Sequence, residues 1–136
     1  NNIPINFAVD ANQIEAVKLL LENKCRINFN ATPELQTPLY IAAEKGHVDI
    51  VELLLKAGAN PNCGEIDDMV NNNPLYVSLK NQHYKVAEAL LKGGARTDAY
   101  CMASEIPGKE YKVTMFDEFK EGNDQEALKL LKKYKK

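Results

Sequence analysis

Between residues 48 and 56 apolar and polar positions follow a helical period. Val48, Val51, Leu54 and Leu55 share one stripe, while Asp49, Glu52 and Lys56 lie off it. The stretch before it, Pro38 to Lys45, reads as a shorter helix. Proline suits a first helical turn, where its missing N–H would have had no intrahelical partner, and Thr37 ahead of it can cap. Gly46 can close this helix in the left-handed conformation, and Gly58 can end the second in the same way. The pattern predicts helices over about 38–45 and 48–56. Neither is long enough to persist alone in water, so each needs an apolar neighbour.

The same pattern returns along the chain. Thr37-Pro38-Leu39-Tyr40-Ile41-Ala42-Ala43 recurs 36 residues on as Asn73-Pro74-Leu75-Tyr76-Val77-Ser78-Leu79. That offset also pairs His47 with His83, Leu54-Leu55-Lys56 with Leu90-Leu91-Lys92, and Gly58-Ala59 with Gly94-Ala95. Backwards, an offset of 34 pairs Pro38 with Pro4, Ala42 with Ala8, Asn62 with Asn28, and Leu53-Leu54-Leu55 with Leu19-Leu20-Leu21. Burying each leucine of these triplets is worth roughly 1.5–3 kcal/mol, and the burial exists only when units stack. A fourth, degenerate unit follows. Gln125 to Leu131 echoes Ile14 to Leu20, Lys132 replaces the last leucine of the triplet, and Met115, Phe116 and Phe119 are expected on the inner face of its first helix. Polar substitution on an outer face suits a terminal cap.

The run Thr37 to Asn62 resembles the ankyrin repeat throughout its length. The resemblance continues over 73–98 and, less fully, over 3–28, where Asn6, Asn12 and Lys24 replace the usual His, Gly and Gly. It implies an all-α fold, an ankyrin-repeat solenoid of stacked helix-turn-helix units with hairpin-like finger loops. Repeats are expected at about 3–36, 37–72 and 73–112, with a capping repeat at about 113–136. Tetratricopeptide repeats are of similar length but have longer helices and lack the Thr-Pro-Leu opening. Tyr40 and Tyr76 stand where the family usually has His, which puts its usual Thr–His hydrogen bond in doubt. Asn12 tolerates a left-handed backbone, and Gln82 at the matching position adopts it at some cost.

The family binds other proteins mostly through finger tips and the concave face of the first helices. The connectors over 29–37, 63–73 and Tyr100 to about Val113 are candidate fingers, because insertions in a repeat array collect on one face. Glu34 and Gln36 lie in the first. Ile66, Asp67, Asp68, Met69 and Asn72 lie in the second, where apolar side chains among acids suit either a contact tip or packing on the adjacent finger. Tyr111 lies in the third. On the palm the variable positions are Asp10 and Ala11, Glu44 and Lys45, and Lys80 and Asn81.

Composition narrows the functional class. The 136 residues are 45% hydrophobic and 26% charged with a formal net charge of −2, ordinary for a soluble folded chain and unlike a duplex-binding surface. Residues 1–98 carry −3 and residues 99–136 carry +1, so a basic or mixed partner segment suits the palm. Cys25, Cys63 and Cys101 are an odd set without a CxxC pair, which reads as reduced thiols in a cytoplasmic or nuclear protein. His47 and His83 share one repeat position and read as structural, with no oriented partner for catalysis. Asp67-Asp68 lacks calcium-loop spacing, and Gly93-Gly94 ends a helix where a phosphate loop would start one. The lysines at 132, 133, 135 and 136 complement a helix C-terminus. Asn30-Ala31-Thr32 is a glycosylation sequon without a secretion signal, and Asn62 resembles the asparagine that some ankyrin proteins carry hydroxylated. No catalytic residue, metal or cofactor is expected.

The expected role is a monomeric binding module for another protein, with no membrane segment and no nucleic acid. Its rivals are the target-recruiting part of a larger enzyme or host-directed effector, which would act in host cytosol, and a plain structural spacer. The absence of an initial Met suggests a piece of a longer polypeptide, and the first unit, opening without a preceding hairpin, leaves room for repeats or another domain upstream.

Overall fold

The turn inside each pair of the sequence repeat returns as the same backbone event. The computed structural model describes residues 4–28, 36–62, 73–103 and 112–135. Four helix pairs follow in order: α1 (Pro4–Asp10) with α2 (Ile14–Glu22), α3 (Pro38–Lys45) with α4 (Val48–Lys56), α5 (Pro74–Lys80) with α6 (Tyr84–Lys92), and α7 (Met115–Glu121) with α8 (Gln125–Lys133). Two short strands, β1 (Tyr100–Ala103) and β2 (Lys112–Thr114), lie between α6 and α7. First helices pack on first helices (α1 on α3, α3 on α5) and second on second (α2 on α4, α4 on α6, α6 on α8), which is the stacked arrangement of an all-α repeat solenoid.

The turn inside each pair is left-handed at one residue: Asn12 (φ 55°), Gly46 (76°), Gln82 (61°) and Asn123 (58°). This lets the next amide turn back on the first helix. The N–H groups of Gln13, His47, His83 and Asp124 donate to the carbonyls of Ala8, Ala42, Ser78 and Phe119 at 2.8–3.0 Å. The second helices end alike, on Lys24, Gly58 and Gly94, with Cys25, Ala59 and Ala95 donating back to Leu20, Leu54 and Leu90. At the starts, Thr37 and Asn73 accept the N–H groups of Tyr40 and Tyr76, Thr114 forms a reciprocal capping box with Asp117, and Asp124 accepts from Ala127 N–H.

The apolar stripe is wider than the sequence suggested. Val51 and Leu54 are fully buried and Val48 and Leu55 half-buried as expected, but Ile50 is also at 0% exposure. Its counterparts Val86 and Ala127 are buried too, so a second line of side chains packs toward the neighbouring pair. On α5 the buried Ser78 returns its hydroxyl to Leu75 O at 2.8 Å.

Two expectations are corrected. The first leucine triplet is not buried like the others: Leu19 is exposed and Leu20 and Leu21 only half-covered, because no described helix pair packs on that side of α2. Phe116 is half-buried rather than inside. Met115 and Phe119 fill the core, and Phe116 lies outside them with the ammonium groups of Lys132 and Lys135 5.7 and 6.0 Å from its ring centre. The third connector, expected as a hairpin-like finger, carries two paired strands, β1 pairing antiparallel with β2 through Tyr100–Thr114, Met102–Val113 and Ala103–Lys112, with a register shift after Tyr100.

Two stability outcomes follow in the 136-residue chain. Leu54→Ala is expected to cost about 2–5 kcal/mol in urea unfolding, while Leu19→Ala, on the open face of α2 at the position matching Leu53, changes stability by less than about 0.5 kcal/mol. Gln82→Gly is expected to stabilise by about 1 kcal/mol, because the left-handed turn costs glycine no Cβ contact.

Candidate interaction surface

The C-terminal ends of α1, α3 and α5 line up as successive steps of one edge. Asp10, Lys45, Lys80 and Asn81 are exposed there and Glu44 is half-buried. Neighbouring steps are tied together. Lys45 Nζ lies 3.5 Å from Asp10 Oδ1 across the first junction, an exposed pair of little energetic weight but definite geometry. Across the second junction, the Glu44 carbonyl accepts from Asn81 Nδ2 at 3.3 Å and contacts His83 Nε2 at 3.1 Å. Lys80 holds its ammonium 5.5 Å from the centre of the Tyr76 ring. The structure therefore brings Asp10, Glu44, Lys45, Lys80 and Asn81 into one row.

Gln36 stands apart from that row, at the other end of α3, where its carbonyl accepts from Asn6 Nδ2 at 2.9 Å. Glu34, Ile66, Asp67, Asp68, Met69, Asn72 and Tyr111 lie outside the described residues.

The two histidines differ in their contacts. A Cβ on Gly46 would lie 2.7 Å from His83 Nδ1, so the ring occupies the space that glycine leaves. At the preceding turn Asn12 carries a Cβ in the corresponding place. His47 Nε2, though buried, has no hydrogen-bond partner among the described residues. At the last turn Asp124 replaces the histidine and accepts the Tyr84 hydroxyl at 3.0 Å to each carboxylate oxygen. Burial, then that bond, raises the Tyr84 hydroxyl above the usual tyrosine range.

Other joints between pairs escaped the sequence reading. Asn28 Nδ2 donates to Gly58 O while its Oδ1 accepts from Asn60 N–H, and Asn62 repeats the motif with Gly94 O and Arg96 N–H. The spacing of Asn28 and Asn62 by one repeat was the visible signal. With both amide atoms so engaged, Asn62 is a structural clip between fingers. Tyr76, at the family's histidine position, donates its hydroxyl to Glu118 Oε1 of the next pair at 2.8 Å. Burial, then the nearby Glu44 carboxylate, raises the Tyr40 hydroxyl as well.

A cleft of about 880 Å³ opens between the end of α6, the start of α7 and the end of α8, with Leu91, Phe116, Leu131 and Tyr134 among its lining. Its carboxylates are both engaged: Asp98 accepts from Arg96 Nε at 3.0 Å and Asp117 bonds Thr114. These bonds hold both groups below the usual carboxylate range. Among the described residues no group of three or more His, Cys, Asp or Glu side chains is placed to hold a metal ion, and no helix is long and apolar enough to cross a membrane.

Fold and edge together define a helical repeat protein whose variable side chains ride on a fixed stack. The family description "Ankyrin repeats (3 copies)" matches residues 5–101, and the chain belongs to the ankyrin repeat family. Among similar proteins, the BTB/POZ domain and ankyrin repeat-containing protein COCH of Pisum sativum is 41% identical over 66 residues, 48% of this chain and 14% of that protein. The E3 ubiquitin-protein ligase XBAT33 of Arabidopsis thaliana is 40% identical over 65 residues, 45% of this chain and 13% of that protein. The ankyrin repeat protein FPV018 of Fowlpox virus is 40% identical over 63 residues, 46% and 9%. The chain thus spans a small part of each relative's length. Ankyrin repeats are general protein-interaction modules, typically without catalysis of their own.

Removing the space beside Gly46 tests how the edge is held. Gly46→Ala is expected to cost about 2–3 kcal/mol, combining left-handed strain with loss of the His83 contact. An imidazole resonance of His83 unchanged by this substitution would show that the ring does not depend on the glycine.

Proposed function

We propose that the chain is a protein-interaction module, not an enzyme, which holds a macromolecular partner through its finger loops and the face bearing the row from Asp10 to Asn81. The observation that carries this reading is the cross-linking of that row: Lys45 to Asp10, and Asn81 and His83 to the Glu44 carbonyl. Side chains already fixed by the stack lose less freedom on binding, so a modest set of contacts suffices for affinity. Mixed charge along the edge suits a partner segment of mixed or basic character. Gln36 and Glu34 of the first finger, Ile66, Asp67, Asp68, Met69 and Asn72 of the second, and Tyr111 of the third complete the proposed surface. The module acts as a monomer in a reducing compartment, cytoplasmic or nuclear, where its three cysteines stay free, and it binds neither nucleic acid nor membrane.

A second reading draws on the relative named as an E3 ubiquitin-protein ligase. In a larger enzyme, or in a host-directed effector, the same surface would recruit the target while catalysis lies in another part of the polypeptide.

Two paired substitutions test the surface. Glu44→Ala with Lys80→Ala, and separately Asp68→Ala with Met69→Ala, are expected to weaken capture of a partner from cell lysate by about tenfold or more, with the thermal midpoint unchanged. Undiminished capture by both variants would place the contact elsewhere.

A further inference from the structure

The two ends of the stack are built differently. Tyr76 donates to Glu118 of the following pair, so the Tyr76 position faces onward and the Glu118 position faces back. Counted from the left-handed turn residue, the back-facing position of Glu118 is held by Phe7, Ile41 and Val77 in the other three pairs. At the C-terminal end the onward positions are polar. Asp117, Lys120 and Lys132 stand where the preceding pair has Tyr76, Leu79 and Leu91, and all three are exposed.

At the N-terminal end the opposite holds. Phe7 and Leu19 are each 59% exposed, whereas Ile41, Val77 and Ala89 at the same positions pack half-buried on the core. Ala16 is exposed, while its counterparts Ile50, Val86 and Ala127 are at 0%. Leu20 is half-covered, while Leu54, Leu90 and Leu131 are buried. The bare side chains belong to positions that later pairs cover with their predecessor.

We propose that this face is the docking surface for one further helix pair of the same repeat, placed before α1 in the polypeptide. The surface continues the stacking interface that already joins the four pairs, with the same positions in the same order. The occupant presents hydrocarbon where Leu55 and Leu91 sit, and a small or apolar residue where Ala43 and Leu79 sit. A second copy stacked head to tail fits poorly, since it would press Asp117, Lys120 and Lys132 against Phe7, Ala16 and Leu19 and strand charge on hydrocarbon.

The test is the reactivity of one thiol in two lengths of chain. Leu19→Cys is placed in a background with Cys25, Cys63 and Cys101 changed to serine, in the polypeptide as its cell makes it and in residues 1–136 alone. Maleimide labelling at position 19 is expected to be about tenfold or more slower in the native-length polypeptide, because it must await local opening. Glu22→Cys, at a position exposed in every pair, is expected to react equally in both. Equal labelling at position 19 in both lengths overturns the proposal. So does protection that grows with concentration in residues 1–136, which marks a second copy, or protection that arises only on adding another protein. Amide exchange of Val17 and Leu20 in unsubstituted chains gives the same comparison should the serine background fold poorly.

Discussion

A helix of seven to nine residues does not survive on its own hydrogen bonds, and the helices described here are all of that length. Nucleation fixes several dihedral angles before any bond repays them, and isolated helices need roughly 12–15 residues to become even marginal. Each described helix is therefore stable only while a neighbour covers its apolar side. That dependence explains why the repeat is so regular. The left-handed turn, the back-reaching amide and the two lines of buried side chains must recur together, since a pair that lost any of them could not present a matching face to the next.

The same dependence makes each pair two-sided. One line of residues, represented by Ala43, Leu79 and Leu55, serves the following pair, and another, represented by Ile50 and Val86, meets the preceding one. Polar contacts fill in at the margins where backbone would otherwise be left unpaired: Asn6 to the Gln36 carbonyl, Asn28 and Asn62 to glycine carbonyls, His83 against Glu44. At the last junction carboxylates take the place of backbone acceptors three times, Tyr76 to Glu118, Tyr84 to Asp124 and Lys133 to Glu88. The final pair is thus held by hydrogen bonds to charged acceptors, individually stronger than neutral ones but dependent on ionised side chains.

Features that rest on local backbone rules were legible in the sequence. Thr37, Pro38, Gly46 and Gly58 mark helix ends through capping and left-handed geometry, and the bounds of α3 and α4 match those read from these residues. Features that rest on what a neighbour supplies were not legible. Ile50 lies outside the stripe of Val48, Val51, Leu54 and Leu55, because its partner surface belongs to another pair. Leu19 looked buried because its triplet matches Leu53-Leu54-Leu55, and only stacking reveals that nothing described covers it. His47 and His83 look identical in sequence, yet the His83 ring fills the space beside Gly46 and reaches the Glu44 carbonyl, while His47 Nε2 has no hydrogen-bond partner among the described residues. Of the proposed surface, the palm residues were readable as variable positions at helix ends. Their linkage into one row depends on carbonyl directions across junctions, which no single repeat encodes.

This division also accounts for what the fold leaves free. Stacking consumes the apolar stripe, the turn residue and the asparagine clips, so those positions are constrained whatever the protein binds. The residues just before each turn, Asp10, Glu44 and Lys45, Lys80 and Asn81, contribute through backbone carbonyls and exposed side chains that the core does not need. Side chains there can change chemistry without disturbing the stack, while the stack fixes their spacing to that of the repeat. A partner would therefore be selected by the pattern of side chains along the edge, against a background whose geometry is set by the burial of leucine, isoleucine and valine behind it.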